Sequence, residues 1–554
     1  MISASFGEHS VAIGQAVAEA REAGIIRRIR ERDHTLWKPD PGEIANRLGW
    51  LRAPTTMRKE AGRIARFVEE TAAGRVLVLG MGGSSLAAAA FGEIFGGQGR
   101  GGLPLGVVDT TAPDAIREIS GSAEPGDTLH IVATKSGSTV ETLSAFRYFH
   151  ARTLESAGGS GEEAAKLAGT RFVAITDPGS PLAESARARG FADVFLNPSD
   201  VGGRYGALTF FGLVPAALVG VDIDMLLVRA EEAIRASLSG DDDRALVLGT
   251  AMGVLSALGR DKLTVTTSPE IEPFADWLEQ LVAESTGKEG KGVLPVVREP
   301  LGAPDAYGSD RVFVDLALPD DQERDLPLAD LERAGHPVIR LGLRDKYDLG
   351  GQIVLWELAT AVTGALLGIN PFDQPNVESA KARARDLVEA YRRTGTAPGT
   401  PVAPLEALAL AELLDGADRG DYAALQAYLP PTADTDAALS ELRLAIRARY
   451  GFATTAGYGP RFLHSTGQLH KGGRGNGVFV QLTADPVEDL AIPPAPGDDP
   501  ESGYPLTFGT LLSAQAAGDR AALEEAGRRV IRFDVGPDPA GAIGGLAEEL
   551  AAPQ

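Results

Sequence analysis

The stretch "RVLVLGMGGSSLA", Arg75 to Ala87, joins a short apolar run to a glycine-rich turn and a second apolar segment. Six mainly aliphatic residues are typical of a strand that is buried on both faces. The glycines and serines after the run mark a turn, and the next segment favours a helix. The stretch therefore predicts the strand–turn–helix unit of a parallel α/β sheet.

The same pattern recurs along the chain, with helical segments between the apolar runs. A first set follows Arg75: "LGVVDT" (105–110), "LHIVAT" (129–134), "RFVAIT" (171–176) and "ADVFLN" (192–197). A second set comes later: "KLTVTTS" (262–268), "GVLPVV" (292–297), "RVFVDLAL" (311–318) and "PVIRLGL" (337–343). Strands alternating with helices indicate parallel sheets covered on both faces, so we expect two tandem α/β domains.

The rest of the chain flanks these domains. Residues 10–32 and 57–73 are amphipathic and predict helices, and "RRTGTAPGTPVAPLE" (392–406) is typical of a linker. Beyond it we expect helices and strands in an α+β extension: helices near 403–428 and 435–449, a strand at 477–483, a Pro- and Asp-rich loop at 484–504, and a final helix and strand ending in "RRVIRFDV". The predicted division is a helical segment, two α/β domains and the extension: 1–70, 71–221, 222–395 and 396–554.

Length, charge and composition exclude several classes of protein. The 554 residues exceed one hydrophobic core, and a net charge of −23 argues against general nucleic-acid binding. The absence of cysteine excludes disulfides and cysteine-ligated zinc. The most apolar window, Ala207 to Val221, is too short to span a bilayer, and the N-terminus lacks a secretory pattern. We expect a cytoplasmic protein without nucleic-acid or membrane partners.

Ligands of open parallel sheets bind beyond the carboxyl ends of the strands, so the loops there carry the functional prediction. In "IVATKSGSTVETL", Ile131 to Leu143, hydroxyls and a lysine precede a helix whose start matches a capping box, Ser138 to Glu141. The unpaired amides and positive dipole at such a start suit a phosphate. The alternative is an ordinary polar turn.

The turn "GMGGSSLA", Gly80 to Ala87, offers a second anion site, because its glycines let backbone amides approach a ligand. It is only a partial dinucleotide fingerprint, since Ser85 occupies the position of the third glycine. Asp109 follows the next strand, where an acid that binds ribose would lie. Nucleotide binding therefore stays open as an alternative.

Two further segments contain candidate catalytic side chains. In "VGGRYGALT" (201–209), Arg204 is placed to stabilise an oxyanion or to form a surface salt bridge. In "EPFADWLEQLVAESTGKEGKG" (272–292), Gln280 and Glu284 are four residues apart and share a helix face. Glu284 lies in the predicted last turn, which suits a general base; the alternative is a solvated glutamate.

The last two segments hold a lysine and two histidines. "GINPFDQPNVESAK" (368–381) places Gln374 in a loop and Lys381 in the following helix. "GPRFLHSTGQLHKGG" (459–473) contains His464 and His470 without a nearby carboxylate, which is a poor metal signal. A single histidine that exchanges protons is the favoured use, against hydrogen-bonded loop histidines.

Taken in this order, five motifs between about residues 70 and 390 resemble those of the glucose-6-phosphate isomerase family, which is built of two sugar-isomerase (SIS) domains. They are "GMGGSSL", "ATKSGSTVET", "VGGRYGALT", "QLVAESTGK" and "INPFDQPNVESAK". The tail is similar to that of the isomerase part of bifunctional transaldolase/phosphoglucose isomerases, although these 554 residues contain no transaldolase barrel.

The resemblance implies interconversion of D-glucose 6-phosphate and D-fructose 6-phosphate through a cis-enediolate. Glu284 would be the base that moves a proton between C2 and C1, and Arg204 would stabilise the enediolate. Gln280 would orient the substrate, while Gln374 and Lys381 would bind it and assist ring opening. The residues expected to hold the 6-phosphate and line the sugar site are Thr134, Lys135, Ser136, Thr139, Gly83 and Ser84. No metal or organic cofactor is expected.

One departure from the family pattern concerns the ring-opening histidine. The family's glycine-glutamine-histidine motif lies before the "FDQ" segment, where this chain has only His336 in "AGHPVIR". "STGQLH" is its nearest counterpart, so the role is assigned to His470, with His464 close by. Because the family's histidine commonly comes from a second subunit, we expect a homodimer. Alternatives are an isomerase of mannose 6-phosphate or an amino-sugar phosphate, and a non-catalytic phosphosugar sensor.

Overall fold

The computed structural model describes residues 2–96, 102–159, 161–319, 321, 323–396, 401–494 and 504–552. Part of the predicted linker at 392–406 and most of the predicted loop at 484–504 therefore lie outside the described residues. The described strands form three sheets.

The N-terminal segment is mainly helical, as expected, but it begins with a strand. Its elements are β1 (Ile2–Ser5), α1 (Ser10–Glu22), α2 (Ile25–Arg30) and α3 (Ala53–Glu70). Met57, Ala61, Ile64 and Phe67 form the buried face of α3 at helical spacing. The prediction of helix throughout was wrong for Ile2–Ser5, because these residues pair antiparallel with a sheet edge that lies more than three hundred residues away.

The first sheet is parallel throughout, with strand order β3-β2-β4-β5-β6. Its elements are β2 (Arg75–Gly80), α4 (Leu86–Phe95), β3 (Leu105–Val108), α5 (Pro113–Ser122), β4 (Thr128–Ala133), α6 (Val140–Ser156), α7 (Glu162–Gly169), β5 (Phe172–Thr176), α8 (Pro181–Ala188), β6 (Asp193–Leu196) and α9 (Phe210–Leu218). Val76 to Leu79 are fully buried, as expected of a central strand with helices on both faces.

The second sheet has the order β1-β10-β9-β7-β8 and is parallel except for β1. Its domain contains α10 (Ile223–Ser239), α11 (Arg244–Ala257), β7 (Lys262–Thr267), α12 (Phe274–Thr286), β8 (Leu294–Val296), β9 (Arg311–Ala317), α13 (Asp325–Arg333), β10 (Val338–Gly342), α14 (Leu349–Leu367) and α15 (Glu378–Thr394). The predicted class, parallel α/β sheets flanked by helices, is confirmed.

Helix α14 belongs to a segment, Lys346–Leu367, that is long and apolar enough to cross a membrane. In this structure 83% of its apolar window is buried inside the protein. Trp356 and Leu358 are fully buried within the same hydrophobic core as α10, α11 and α12. The apolar composition of α14 is therefore explained by its place in the core.

The third region differs from the expected α+β extension, because its four-stranded sheet is parallel throughout, in the order β12-β11-β13-β14. Its elements are α16 (Ala407–Asp415), β11 (Tyr422–Tyr428), α17 (Ala433–Tyr450), β12 (Ala453–Tyr458), α18 (Gly467–Gly472), β13 (Gly477–Thr483), α19 (Phe508–Glu525), β14 (Arg529–Asp534) and α20 (Pro539–Ala551). The region is therefore α/β.

The helix expected near 403–428 was wrong beyond Asp415. The run "YAALQAY" has helix-forming alanines and leucine, but every residue of it is buried, as the central strand β11. Two neighbouring strands cover its edges, and burial between helices on both faces outweighs the weak local preference. The strand β12 and the last helix, α20, were not expected.

Candidate active site

A cleft of about 460 Å³ lies where the first domain, α12, the start of α15 and the third domain meet. All but one of the residues predicted for the site line it. They are Gly83, Ser84, Thr134, Lys135, Ser136, Thr139, Arg204, Gln280, Glu284, Gln374, Lys381 and His464. The exception is His470.

At one end of the cleft, the loop between β4 and α6 presents hydroxyl groups at a helix start. Thr134 and Thr139 share a hydrogen bond between their hydroxyls of 2.8 Å, and Ser136 and Ser138 share one of 2.9 Å. Gly137 has a φ of +71°, and a Cβ there would approach the backbone nitrogen of Leu182 to 2.9 Å, so glycine is required. The loop therefore has a fixed shape.

The expected capping box at this helix does not form. Helix α6 begins at Val140, its N-cap is Thr139, and no side chain caps it. The side chain of Glu141, which would complete the box, instead reaches the third domain. With no side-chain cap, the positive helix start is left for an anion in the cleft.

Lys135 stands beside this loop in an ion pair. Its Nζ lies 2.5 Å from Oδ2 of Asp177 and donates to the carbonyl of Ser199 at 2.9 Å. Burial raises the pKa of Asp177, and the bonds from Lys135 oppose that shift. The lysine is therefore held at the edge of the cleft rather than free to swing.

Arg204 is fixed on every side and only 2% exposed. Its Nε donates to Ser285 at 2.8 Å, and Nη2 donates to the carbonyls of Pro371 and Asp373 at 2.8 and 2.9 Å. Its Nη1 lies 3.0 Å from Oε1 of Glu284 and 3.1 Å from Oε1 of Gln374. The guanidinium thus joins three segments and places its positive charge beside the candidate base.

Glycines permit this arrangement through close backbone contacts. A Cβ on Gly83 would lie 2.2 Å from the carbonyl of Gly203, directly before Arg204. Gly82 has a φ of +53°, and a Cβ there would lie 2.7 Å from the carbonyl oxygen of His464. The glycine-rich turn after β2 therefore packs against both the arginine turn and the third domain.

Gln280 and Glu284 share a face of α12, as their spacing predicted. The Gln280 amide nitrogen donates to Glu284 Oε2 at 3.0 Å and to the carbonyl of His464 at 2.8 Å. Glu284 lies in the last turn, and its side chain is 13% exposed. One carboxylate oxygen thus faces an amide and the other a guanidinium, which fixes the orientation of the group.

Lys381 projects from the first turns of α15 with 31% of its side chain exposed, and its Nζ lies 3.1 Å from Glu378. Gln374 precedes it and accepts the hydrogen bond from Arg204. Lys381 is thus more exposed than Arg204 and is held by fewer polar contacts.

His464 comes from a short turn in the third domain, Arg461–His464. Its Nε2 lies 3.1 Å from Oε1 of Glu141, which is 7% exposed. Burial raises the pKa of Glu141, but the positive charge that His464 carries when protonated, the hydrogen bond from His464 and the charge of Lys381 act in the opposite direction, and the pKa lies below its usual value. A carboxylate accepts, so Nε2 carries the proton in the neutral imidazole and Nδ1 is left for a ligand.

His470 is not among the residues that line the cleft, so the structure does not bring it together with the other residues predicted for the site. It is 4% exposed and packs against Tyr422 and Phe479 in the third domain. Burial, followed by the charges of Lys471 and Arg528, holds its pKa well below the usual value. His464 ends the turn before α18, whereas His470 lies within α18, and only His464 lines the cleft.

Sequence reasoning missed three residues that support the cleft. Glu141 was assigned only to a cap. Gln468, fully buried, binds both the carbonyl of Gly287 at 2.9 Å and the side chain of Asn376 at 2.8 Å. Lys288 donates to Asp373 at 2.6 Å, and burial, together with Arg204, lowers its pKa to about 8. Glu141 had a signal in its place three residues after a serine, and Lys288 had one as one of only ten lysines in a chain that otherwise uses arginine.

The alternative of nucleotide binding relied on Asp109 as the acid that would bind ribose. In the structure Asp109 forms an ion pair with Arg461 at 3.3 Å. In the part of the chain that the structure describes, no group of three His, Asp or Glu side chains is arranged to hold a metal ion. The cleft combines an anion-binding helix start at one end with a carboxylate and a guanidinium at the other, while Lys381 and His464 also line a neighbouring cavity together with the helix start. This set can bind a phosphorylated compound and move its protons.

Comparison with known proteins found many relatives of one kind, although no family model matches the chain. A protein named glucose-6-phosphate isomerase from Symbiobacterium thermophilum is 31% identical over 405 residues, which cover 63% of this chain and 88% of the relative. One of the same name from Rubrobacter xylanophilus is 29% identical over 60% of this chain and 87% of its own length.

Two solved structures share the fold. A hypothetical protein from Thermus thermophilus superposes with a TM-score of 0.58 at 23% identity, over 70% of this chain and all of its own. A glucose-6-phosphate isomerase from Chlamydia trachomatis gives 0.57 at 18% identity, over 68% of this chain and 86% of its own.

Proposed function

The chain belongs to the glucose-6-phosphate isomerase family, and from that premise we propose that it interconverts D-glucose 6-phosphate and D-fructose 6-phosphate through a cis-enediolate. Membership of this family shows that the chain is a hexose-phosphate isomerase. The identity of the hexose phosphates and the roles of the individual residues are proposed here.

The observation that carries the proposal is the contact of 3.0 Å between Arg204 and Glu284, in a cleft whose other end is the uncapped start of α6. A 6-phosphate at the helix start would meet the hydroxyls of Ser136 and Thr139, with Lys135 beside it. Holding this unreactive end orients the sugar so that C1 and C2 reach the charged end of the cleft.

Ring opening moves a proton from the anomeric hydroxyl to the ring oxygen. His464 would make this exchange through Nδ1, because its Nε2 is bound to Glu141. Lys381 and Gln374 would bind the substrate and assist. His464 therefore takes the part that sequence reasoning gave to His470.

In the open chain, Glu284 would take the proton from C2. The electron pair of the broken C–H bond forms the C1–C2 double bond, and the carbonyl oxygen becomes the oxyanion of the enediolate. Arg204 would stabilise this negative charge at a fixed distance, without moving during the reaction. Return of the proton to C1, with proton exchange between the two oxygens, gives the ketose.

The proposal is tested with fructose 6-phosphate in deuterated water, by following glucose 6-phosphate formation and deuterium entry at C2. We expect Glu284→Gln to lower kcat about 10³-fold, the range of a lost general base. The matched control is Glu289→Gln, because Glu289 lies in the next loop, pairs with Lys38 and is 48% exposed.

Full activity of Glu284→Gln would show that another group is the base. A wild-type protein that converts only mannose 6-phosphate or an amino-sugar phosphate would keep the chemistry and replace the substrate. Binding of hexose phosphates without any turnover would overturn the proposed reaction.

A further inference from the structure

A chain of hydrogen bonds runs from His464 into the protein, beyond the groups that face the cleft. Oε1 of Glu141 accepts from His464 Nε2 at 3.1 Å and from the amide nitrogen of Gln515 at 2.8 Å. The amide oxygen of Gln515 accepts from the hydroxyl of Thr111 at 2.8 Å. The order is Thr111, Gln515, Glu141 and His464, and it crosses three times between the first and third domains.

Three of the four members of this hydrogen-bond chain are buried, and His464 is 15% exposed. Thr111 is fully buried and Gln515 is 2% exposed, on the α19 helix of the third domain. Glu141 is also buried, on the first turn of α6. A carboxylate in such a place depends on its donors, because an unpaired buried charge is costly.

The donor and the acceptor of each hydrogen bond follow from the chemistry of the two groups that it joins. Glu141 is a carboxylate and only accepts, so the amide of Gln515 must present its nitrogen to it. The amide oxygen then faces Thr111, whose hydroxyl donates to it. A flipped amide would place its oxygen against the carboxylate. Thr111 therefore holds the amide in the one orientation that supports Glu141.

We propose that Gln515, oriented by Thr111, is a positioning residue that keeps Glu141 ionised and thereby keeps His464 protonated on Nε2, with Nδ1 free for the substrate. The inference rests on the proposed function, since it concerns the group assigned to ring opening. The hydrogen bonds of the Gln515 side chain join it to Thr111 and Glu141, and Gln515 lines a cavity of about 450 Å³ together with Lys381 and His464.

Removal of the amide has a defined consequence. A hydrogen bond to the carboxylate favours its charged form, so loss of this donor raises the pKa of Glu141. When Glu141 is protonated, its O–H can donate to an unprotonated Nε2, so the tautomer of His464 is no longer fixed. The acid limb of the rate profile should therefore move to higher pH.

The test is Gln515→Met, which keeps the length and volume of the side chain but removes both hydrogen bonds. With glucose 6-phosphate, we expect kcat to fall about tenfold or more, KM to stay within about twofold, and the acid limb of kcat/KM to shift upward. Deuterium exchange at C2 of substrate supplied in its open form should keep the wild-type rate, because Glu284 is untouched.

Two further comparisons separate positioning from general damage. Thr111→Val should change the pH profile in the same direction, whereas Thr111→Ser keeps the hydroxyl and should restore it. The matched control is Gln352→Met, because Gln352 is a buried glutamine, 5% exposed, on α14 and away from Glu141. It should leave the profile unchanged. If Gln515→Met does not fold, the comparison of Thr111→Val with Thr111→Ser tests the inference in its place.

A second readout does not depend on turnover. In protein labelled with ¹⁵N-histidine, the wild-type His464 should show the Nε2–H tautomer, assigned by its loss in His464→Asn, and Gln515→Met should show a mixture. An unchanged tautomer together with unchanged kinetics in an active enzyme would overturn only this inference. A wild type without hexose 6-phosphate isomerisation would overturn the proposed function, and this inference with it.

Discussion

Two histidines six residues apart show how strongly the environment decides the role of one residue type. His464 lies at the cleft, with one nitrogen bound to a carboxylate and the side chain 15% exposed. His470 is buried among aromatic rings, and its Nε2 has no hydrogen-bond partner among the described residues. The first can exchange protons with a ligand, whereas burial keeps the second neutral.

We predict that His464→Asn lowers kcat with pyranose substrate about 100-fold and leaves exchange at C2 of open-chain substrate largely intact. His470→Asn should keep both activities but lower the free energy of unfolding by about 2 kcal/mol, because it removes packing from a core. Stopped-flow assays with the two substrate forms, together with urea unfolding, measure these effects. The reverse pattern would return the ring-opening role to His470.

At the scale of elements, the site depends on the contact between two turns. The turn after β2, Gly82–Ser84, packs against the turn Gly203–Tyr205, which carries Arg204. A Cβ on Gly83 would also lie 2.7 Å from the backbone nitrogen of Arg204. Backbone cannot move aside as a flexible side chain can, so the arginine turn would have to shift.

We predict that Gly83→Ala displaces Arg204, lowers kcat about 100-fold and costs about 1–3 kcal/mol of stability. The matched control is Gly203→Ala in the facing turn, where a Cβ would meet no atom within 4 Å. Its stability should equal that of the wild type, as measured by thermal unfolding. Equal stability of the two variants would mean that the turns are not in this tight contact.

At the scale of the whole molecule, one chain supplies every group assigned to the reaction. The loop proposed to bind phosphate comes from the first domain, Glu284 from the second and His464 from the third, and all of them line one cleft. The resemblance had led us to expect a histidine from a second subunit. In the part of the chain that the structure describes, His464 from the third domain of the same chain lines the cleft.

We predict that a mixture of Glu284→Gln and His464→Asn, unfolded and refolded together, has no more activity than the two variants measured separately. If each site used two chains, mixed dimers would contain one intact site, and activity would recover. The positive control is the wild type refolded in the same way. Recovery of a substantial part of the wild-type activity would show that the site is shared between subunits.

Much of the fold could be predicted because its signals are local. Apolar runs of four to eight residues separated by helical segments indicated both large sheets. The strand β11 could not be predicted, because its alanine-rich sequence favours a helix, and only its neighbours β12 and β13 make it a strand. The strand β1 was missed for a similar reason, since its pairing partner lies far along the chain.

The sequence by itself determined the parallel α/β class, the phosphate-type loop and the helix face shared by Gln280 and Glu284, because spacing within a strand or helix fixes these features. The tertiary structure alone decided which histidine reaches the cleft and that Glu141 accepts a hydrogen bond from it. It also decided that Gln515 and Thr111 extend this chain of hydrogen bonds beyond Glu141. These contacts join residues more than three hundred positions apart. A local sequence pattern cannot predict such a pair, because packing between domains creates it.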